Sequence, residues 1–103
     1  MAEHPLISPD VLASYAGDAA REVPGVAGLA ESTLHRGKAV VISGDEDTLA
    51  VELSLTLSWG RSAGDVANEV QRRVAEYLRR MANVTPASID VVFDAVGAPP
   101  PKR

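Results

Sequence analysis

The sequence predicts an α+β fold, a two-layer sandwich in which two helices cover one face of a mixed β-sheet. Three observations lead there. Two stretches place apolar residues three and four apart, the spacing of an amphipathic helix. Residues 49–59 alternate apolar and polar without a fault, which marks a strand with one buried face. Between them lies Glu22-Val-Pro-Gly-Val-Ala-Gly-Leu29, which stops a helix and starts a strand within eight residues. Pro24 lacks an N–H, and its ring clashes with a preceding helical turn. It also pushes Val23 toward extended geometry. Gly25 and Gly28 allow positive φ or close backbone approach, leaving Val26 and Leu29 as the apolar anchors of the corner.

The first helix opens at Ser8-Pro9-Asp10: a cap, a proline suited to the first helical position, and an acid at the positive end of the dipole. Its stripe is Val11, Leu12, Tyr15, Ala16, Ala19, Ala20 and Val23. Gly17 costs about 1 kcal/mol there relative to alanine, so something is expected to pack closely against it. A short strand from Val26 to Leu29 and a polar loop from Ala30 to Gly37 follow. Lys38 to Ser43 reads as a β-branched strand, joined by a turn at Gly44-Asp45-Glu46-Asp47 to the alternating strand. There Leu49, Val51, Leu53, Leu55, Leu57 and Trp59 share the buried face.

Gly60-Arg61 breaks that strand, and Ser62 caps the second helix with Asp65 three residues on. Val66, Val70, Val74, Tyr77, Leu78 and Met81 form its buried stripe, and Asn83 and Pro86 bracket its end. Ser88 to Val96 is the last strand, with Ile89, Val91, Phe93 and Ala95 inward. A short front strand at Leu6-Ile7 makes the order (β)-α-β-β-β-α-β. The second helix is then a crossover between parallel strands, a connection that is right-handed by rule.

At 103 residues the chain is one small domain, taken as residues 6–96, with a Pro-rich disordered tail at 97–103. The net charge of −4 argues against a general nucleic-acid binder. With no cysteine, disulfides and thiolate chemistry are excluded. The first residues do not read as a signal peptide. No apolar run approaches the roughly 20 residues needed to span a bilayer, so direct membrane insertion is not expected.

Candidate chemistry is thin. Asp45-Glu46-Asp47 lacks the spaced acids, central glycine and distal glutamate of a calcium loop, and it reads as a solvated turn. Arg72, Arg73, Arg79 and Arg80 form a basic stripe, but Glu69 and Glu76 stand three or four residues away and partly neutralise it. The RNA-binding signs of a paired aromatic strand or a GxxG loop are missing. Tyr15, Trp59, Tyr77 and Phe93 all fall on faces expected to be buried. His4 and His35 are isolated, and nothing places His35 with Ser32 and Glu31 as hydrolysis requires. Trp59 divides between a core residue ending the strand and a rim residue meeting a partner. The wetter face of the long strand is small (Ala50, Ser54, Thr56, Ser58), and Val92 and Val96 interrupt the polar pattern of the last strand.

Taken together, the Ile7-Ser8-Pro9-Asp10-Val11 helix entry, the Glu22–Leu29 corner, the long alternating strand and Gly64-Asp65-Val66-Ala67 resemble the alkaline shock protein family, the envelope stress proteins of Gram-positive bacteria. The resemblance covers Leu6 to Val96. It implies a non-enzymatic cytoplasmic protein without a cofactor, tied to cell-envelope stress or homeostasis. It further implies a protein partner such as a small membrane-anchoring protein, and self-association. Two departures, the shortened front strand and the brief loop from Ala30 to Gly37, leave the attachment to the envelope open. The expectation is a scaffold or adaptor whose interaction surface includes Ser54, Thr56, Trp59, Arg72, Arg79 and Val92, with no catalytic or metal residues. The alternative is a nucleic-acid-binding or regulatory module using the arginines of the second helix.

Overall fold

The computed structural model describes residues 8–30, 38–45 and 47–99. Its elements run α1 (Pro9–Arg21), β1 (Val26–Leu29), β2 (Val40–Ser43), β3 (Ala50–Leu57), α2 (Ala63–Ala82) and β4 (Ser88–Val96). The front strand at Leu6-Ile7, most of the Ala30–Gly37 loop and the end of the tail lie outside the described residues. The fold is the α+β sandwich the sequence implies, with a mixed sheet.

Helix α1 starts where Ser8 Oγ accepts the Asp10 N–H at 3.1 Å, and α2 where Ser62 Oγ accepts the Asp65 N–H at 3.3 Å. Asn83 closes α2 in the left-handed conformation, φ 56°. Gly25 has φ 102°, and a Cβ there would lie 2.5 Å from Val66 Cγ2. The corner thus needs glycine both for its backbone and to let α2 approach. The side chains behind Gly17 are Leu29 and Val40: a Cβ would meet their methyls at 3.4 and 3.6 Å.

Strand β3 is central. Strand β4 pairs with one side of it in parallel, with α2 as the crossover. Antiparallel β1 and β2 lie end to end along the other side, β1 against Leu55–Leu57 and β2 against Ala50–Leu53. Between them, Ala30 N–H donates to the Ser54 carbonyl at 2.8 Å and Ser54 N–H donates to the Ala39 carbonyl at 2.7 Å. One residue opposite Ser54 would ordinarily make both bonds. Here the task is divided between two residues nine apart, so β1 and β2 are one strand interrupted by an excursion that leaves and returns at the same rung.

The core lies between the sheet and the helices. Val51, Leu53 and Leu55 from β3 meet Val70, Val74 and Leu78 from α2 and Ala16 and Ala20 from α1, all fully buried. Tyr15 and Tyr77 join the two helices edge-to-face, with ring centroids 5.8 Å apart.

Several expectations are corrected. The ladder stops at Leu57 and the chain turns through Gly60 at φ 84°, so Trp59 is not the last inward residue of β3 but stands 57% exposed in the turn. A bulge in β4 lies between Phe93, paired with Leu55, and Ala95, paired with Thr56. It turns Ala95 to the uncovered face and brings Val96 into register with Leu57, on the helix side. Met81 extends the α2 stripe in sequence but is 46% exposed in the last turn of the helix. The regular strands are also shorter than expected, starting at Val40 and Ala50 and ending at Leu57.

Candidate interaction surface

Both helices pack against the odd-numbered face of β3, and among the described residues no element covers the even-numbered one. The alternation makes that face from Ala50, Glu52, Ser54 and Thr56. The registers add Val41 beside Glu52, Asp90 across from it, and Val92 beside Ser54. Thr56 has a further distinction, because both neighbouring strands bulge opposite it. In β1 the register jumps between Val26 and Gly28, and in β4 it jumps over Asp94. Two residues facing one turn to the same side at a bulge, so Ala27, Gly28, Asp94 and Ala95 surround Thr56 on the open face. The sequence carries no signal for either bulge beyond Gly28.

The predicted surface residues separate into groups. Ser54 is only 6% exposed and serves the sheet through its backbone, so it offers no exposed contact. Thr56 is half-buried, and Val92 is 50% exposed. Trp59 lies just past the end of β3, where Gly97 N–H donates to the Leu57 carbonyl at 2.7 Å and a Cβ on Gly97 would come within 3.9 Å of Ala27 Cβ. The ends of β1, β3 and β4 therefore meet beside it, and Ala27, Ala95, Val96 and Ala98 are all exposed there.

Arg72 and Arg79 are on the opposite side of the molecule, on the outer face of α2. Glu69 holds Arg72 at 2.5 Å and Arg73 at 3.0 Å, and Glu76 reaches Arg72 at 3.5 Å. These bonds, Arg72 first and then Arg73, hold the Glu69 carboxyl below its ordinary range. Arg79 and Arg80 have no carboxylate partner among the described residues. The two predicted surfaces, sheet and arginine helix, are thus on opposite faces and not one site.

The acidic turn is structural. Asp45 accepts the Thr48 hydroxyl at 2.9 Å together with the Asp47 and Thr48 N–H groups. The Thr48 hydroxyl contributes most to holding the Asp45 carboxyl below its ordinary range. No group of three or more His, Cys, Asp or Glu able to hold a metal occurs among the described residues. His4, His35, Ser32 and Glu31 lie outside them.

A model of the alkaline shock protein 23 family, described as having a cell envelope-related function, matches residues 3–98. The chain belongs to this family. The coarse assignment that membership carries is a cell envelope-related function. No curated protein matches the chain. Among solved structures, a double variant of MamM CTD is similar over 89% of this chain and 97% of its own, at TM-score 0.62 and 15% identity. A cadmium form of another MamM CTD variant matches over 85% and 98%, at TM-score 0.55 and 16% identity. A manganese form matches over 84% and 96%, at TM-score 0.54 and 16% identity. Identities this low speak to the fold alone. The family member described here shares that architecture, and none of the described helices is long and apolar enough to cross a membrane.

Proposed function

We propose that this chain is a non-enzymatic scaffold or adaptor of the cell envelope, acting through protein–protein contacts and self-association on the open face of its sheet. The supporting observation is the sheet's asymmetry. One face is sealed by two helices, and the other holds small side chains around Thr56 with Val92 exposed beside them. A sheet face of this kind is stable in water yet flat enough for a partner to lie on. Polar groups elsewhere in the molecule already have structural work: Asp45 in its turn, Ser8 and Ser62 at helix starts, and Glu69 with its arginines. That distribution supports contact over catalysis. The protein works in the cytoplasm and reaches the membrane through a small membrane-anchoring protein.

The test is affinity capture from the native cell with membranes retained, comparing the natural chain with a Thr56→Arg/Val92→Arg variant. Recovery of a small membrane protein by the first and its loss by the second is the expected result. A second reading draws on Arg79 and Arg80, which lack partners among the described residues. If ribosomes or nucleic acid are recovered instead, in a salt-dependent way, and lost when Arg72, Arg73, Arg79 and Arg80 become glutamine, the nucleic-acid module replaces the adaptor.

A further inference from the structure

Strand β4 has a neighbour on one side only. Strand β3 pairs with it, and among the described residues no strand pairs with its outer edge. Backbone groups of successive strand residues point to alternate sides, and two bonds tell which residues of β4 point outward. Ser88 N–H donates to the Leu49 carbonyl at 3.4 Å, toward β3. Gln71 Nε2, reaching down from α2, donates to the Ile89 carbonyl at 2.8 Å. Ile89 therefore faces out, and Val91 and Phe93 face out with it, up to the bulge after Phe93. Gln71 serves the Ile89 carbonyl, but no strand among the described residues serves the N–H and C=O groups of Val91 and Phe93. Exposed edges are commonly blunted by proline or lysine, and β4, nine residues long, has neither. We propose that the outer edge of β4 is a docking site for an extended, basic segment of another protein, which adds to the sheet as a further strand beside Ile89–Phe93.

The side chains along the edge set the chemistry of the occupant. Ile89, Val91 and Phe93 are half-buried against the core on the helix side, so apolar residues of an added strand extend that layer. On the other side Asp90 and Asp94 stand exposed. None of the four strands carries a lysine or arginine, and neither acid pairs with a cation among the described residues. A lysine or arginine beside Asp90 answers that charge across the strands. The occupant is thus an extended run in which apolar and basic residues alternate. A second copy of β4 fits worse, because it brings the same two acids and no cation. The acids that favour a basic segment also discriminate against self-pairing.

The probe is a blocked seven-residue peptide alternating valine and lysine, titrated into the full chain at low ionic strength, where exposed charges are least screened. Binding should protect the Val91 and Phe93 amides from hydrogen exchange and leave those of Asp90 and Val92, which face β3, unchanged. A glutamate–valine peptide should bind at least tenfold more weakly, and Asp90→Lys/Asp94→Lys should reverse that order. Valine and lysine amides point to opposite sides of the extended peptide. Methylating the nitrogens of one set should therefore cost at least tenfold, and methylating the other set little. Val91→Pro, which removes an outward N–H at an edge, should abolish binding while keeping the natural far-UV circular dichroism. Should that variant not fold, the charge reversal and the methylated peptides still decide. Absence of binding, equal affinity of the two methylated peptides, or protection that misses Val91 and Phe93 overturns the proposal. So does concentration-dependent protection of those amides in the free chain, which means that a second copy holds the edge. The contact uses backbone at the rim of the sheet, so capture of a partner through Thr56 and Val92 stands or falls separately.

Discussion

The two faces of β3 differ by a single step along the chain and by nearly everything else. Val51, Leu53 and Leu55 are sealed under the helices, while Ala50, Glu52 and Thr56 stay partly open to solvent. The covered face makes the fold and tolerates little. The other is covered by no element among the described residues, so Ala50 and Thr56 meet fewer steric demands there. Opposite demands are met on one strand because the side-chain period is two.

Substitutions sharpen this contrast. The largest expected effect is Leu55→Ala, which removes a fully buried side chain and should cost about 2–5 kcal/mol in urea unfolding. Thr56→Ala, its neighbour on the open face, should stay within about 0.5 kcal/mol. Equal losses would mean that the open face is a second core.

Next is Gly25→Ala. Left-handed backbone costs an L-residue about 1–2 kcal/mol, and the contact with Val66 adds to it. Adding Val66→Ala relieves that contact, so the double variant should lose less than the sum of the single losses. Strict additivity would show that only the backbone matters.

A smaller effect is expected from excising the interruption. Replacing residues 30–39 by one alanine should leave a continuous strand opposite Ser54, with Leu29 and Val40 still inward. Cooperative thermal unfolding and an unchanged circular dichroism spectrum are the expected outcome. Loss of cooperativity would show that the excursion carries part of the core.

The smallest effect is acid sensitivity. Asp45 and Glu69 have carboxyls held below their ordinary ranges, by Thr48 and by Arg72 with Arg73. Their contribution is complete above the unfolded-state values and fades as pH falls through the lower folded ones. The melting temperature should therefore drop on acidification, and Asp45→Asn and Glu69→Gln should each remove part of that dependence. A pH dependence unchanged in both variants would assign it to other carboxylates.

Local chemistry made most of the architecture legible. The capping serines, the Pro24 corner, the turn that opens at Gly44 and the alternation of β3 each report on a few adjacent residues, and each stands where expected. What escaped depends on partners distant in sequence. That β1 and β2 are collinear is visible only in the two bonds to Ser54. Ala95 turned over because of a bulge set against Leu55 and Thr56, about 40 residues earlier. Trp59 continues a pattern in sequence after the hydrogen-bonded ladder has ended. The candidate surface was legible in part: Thr56 and Val92 lie on one open face, Ser54 is hidden within it, and the arginines belong to the other layer.

The position of β4 has a consequence for biosynthesis. The middle strand acquires its second neighbour only when the final strand emerges, after the whole of the long helix has been made. Until then a nascent chain exposes one flank of its best β-former, Leu53 and Leu55 included. A ribosome stalled before Ser88 would present an unfinished sheet, and release of the last segment is the event that closes it.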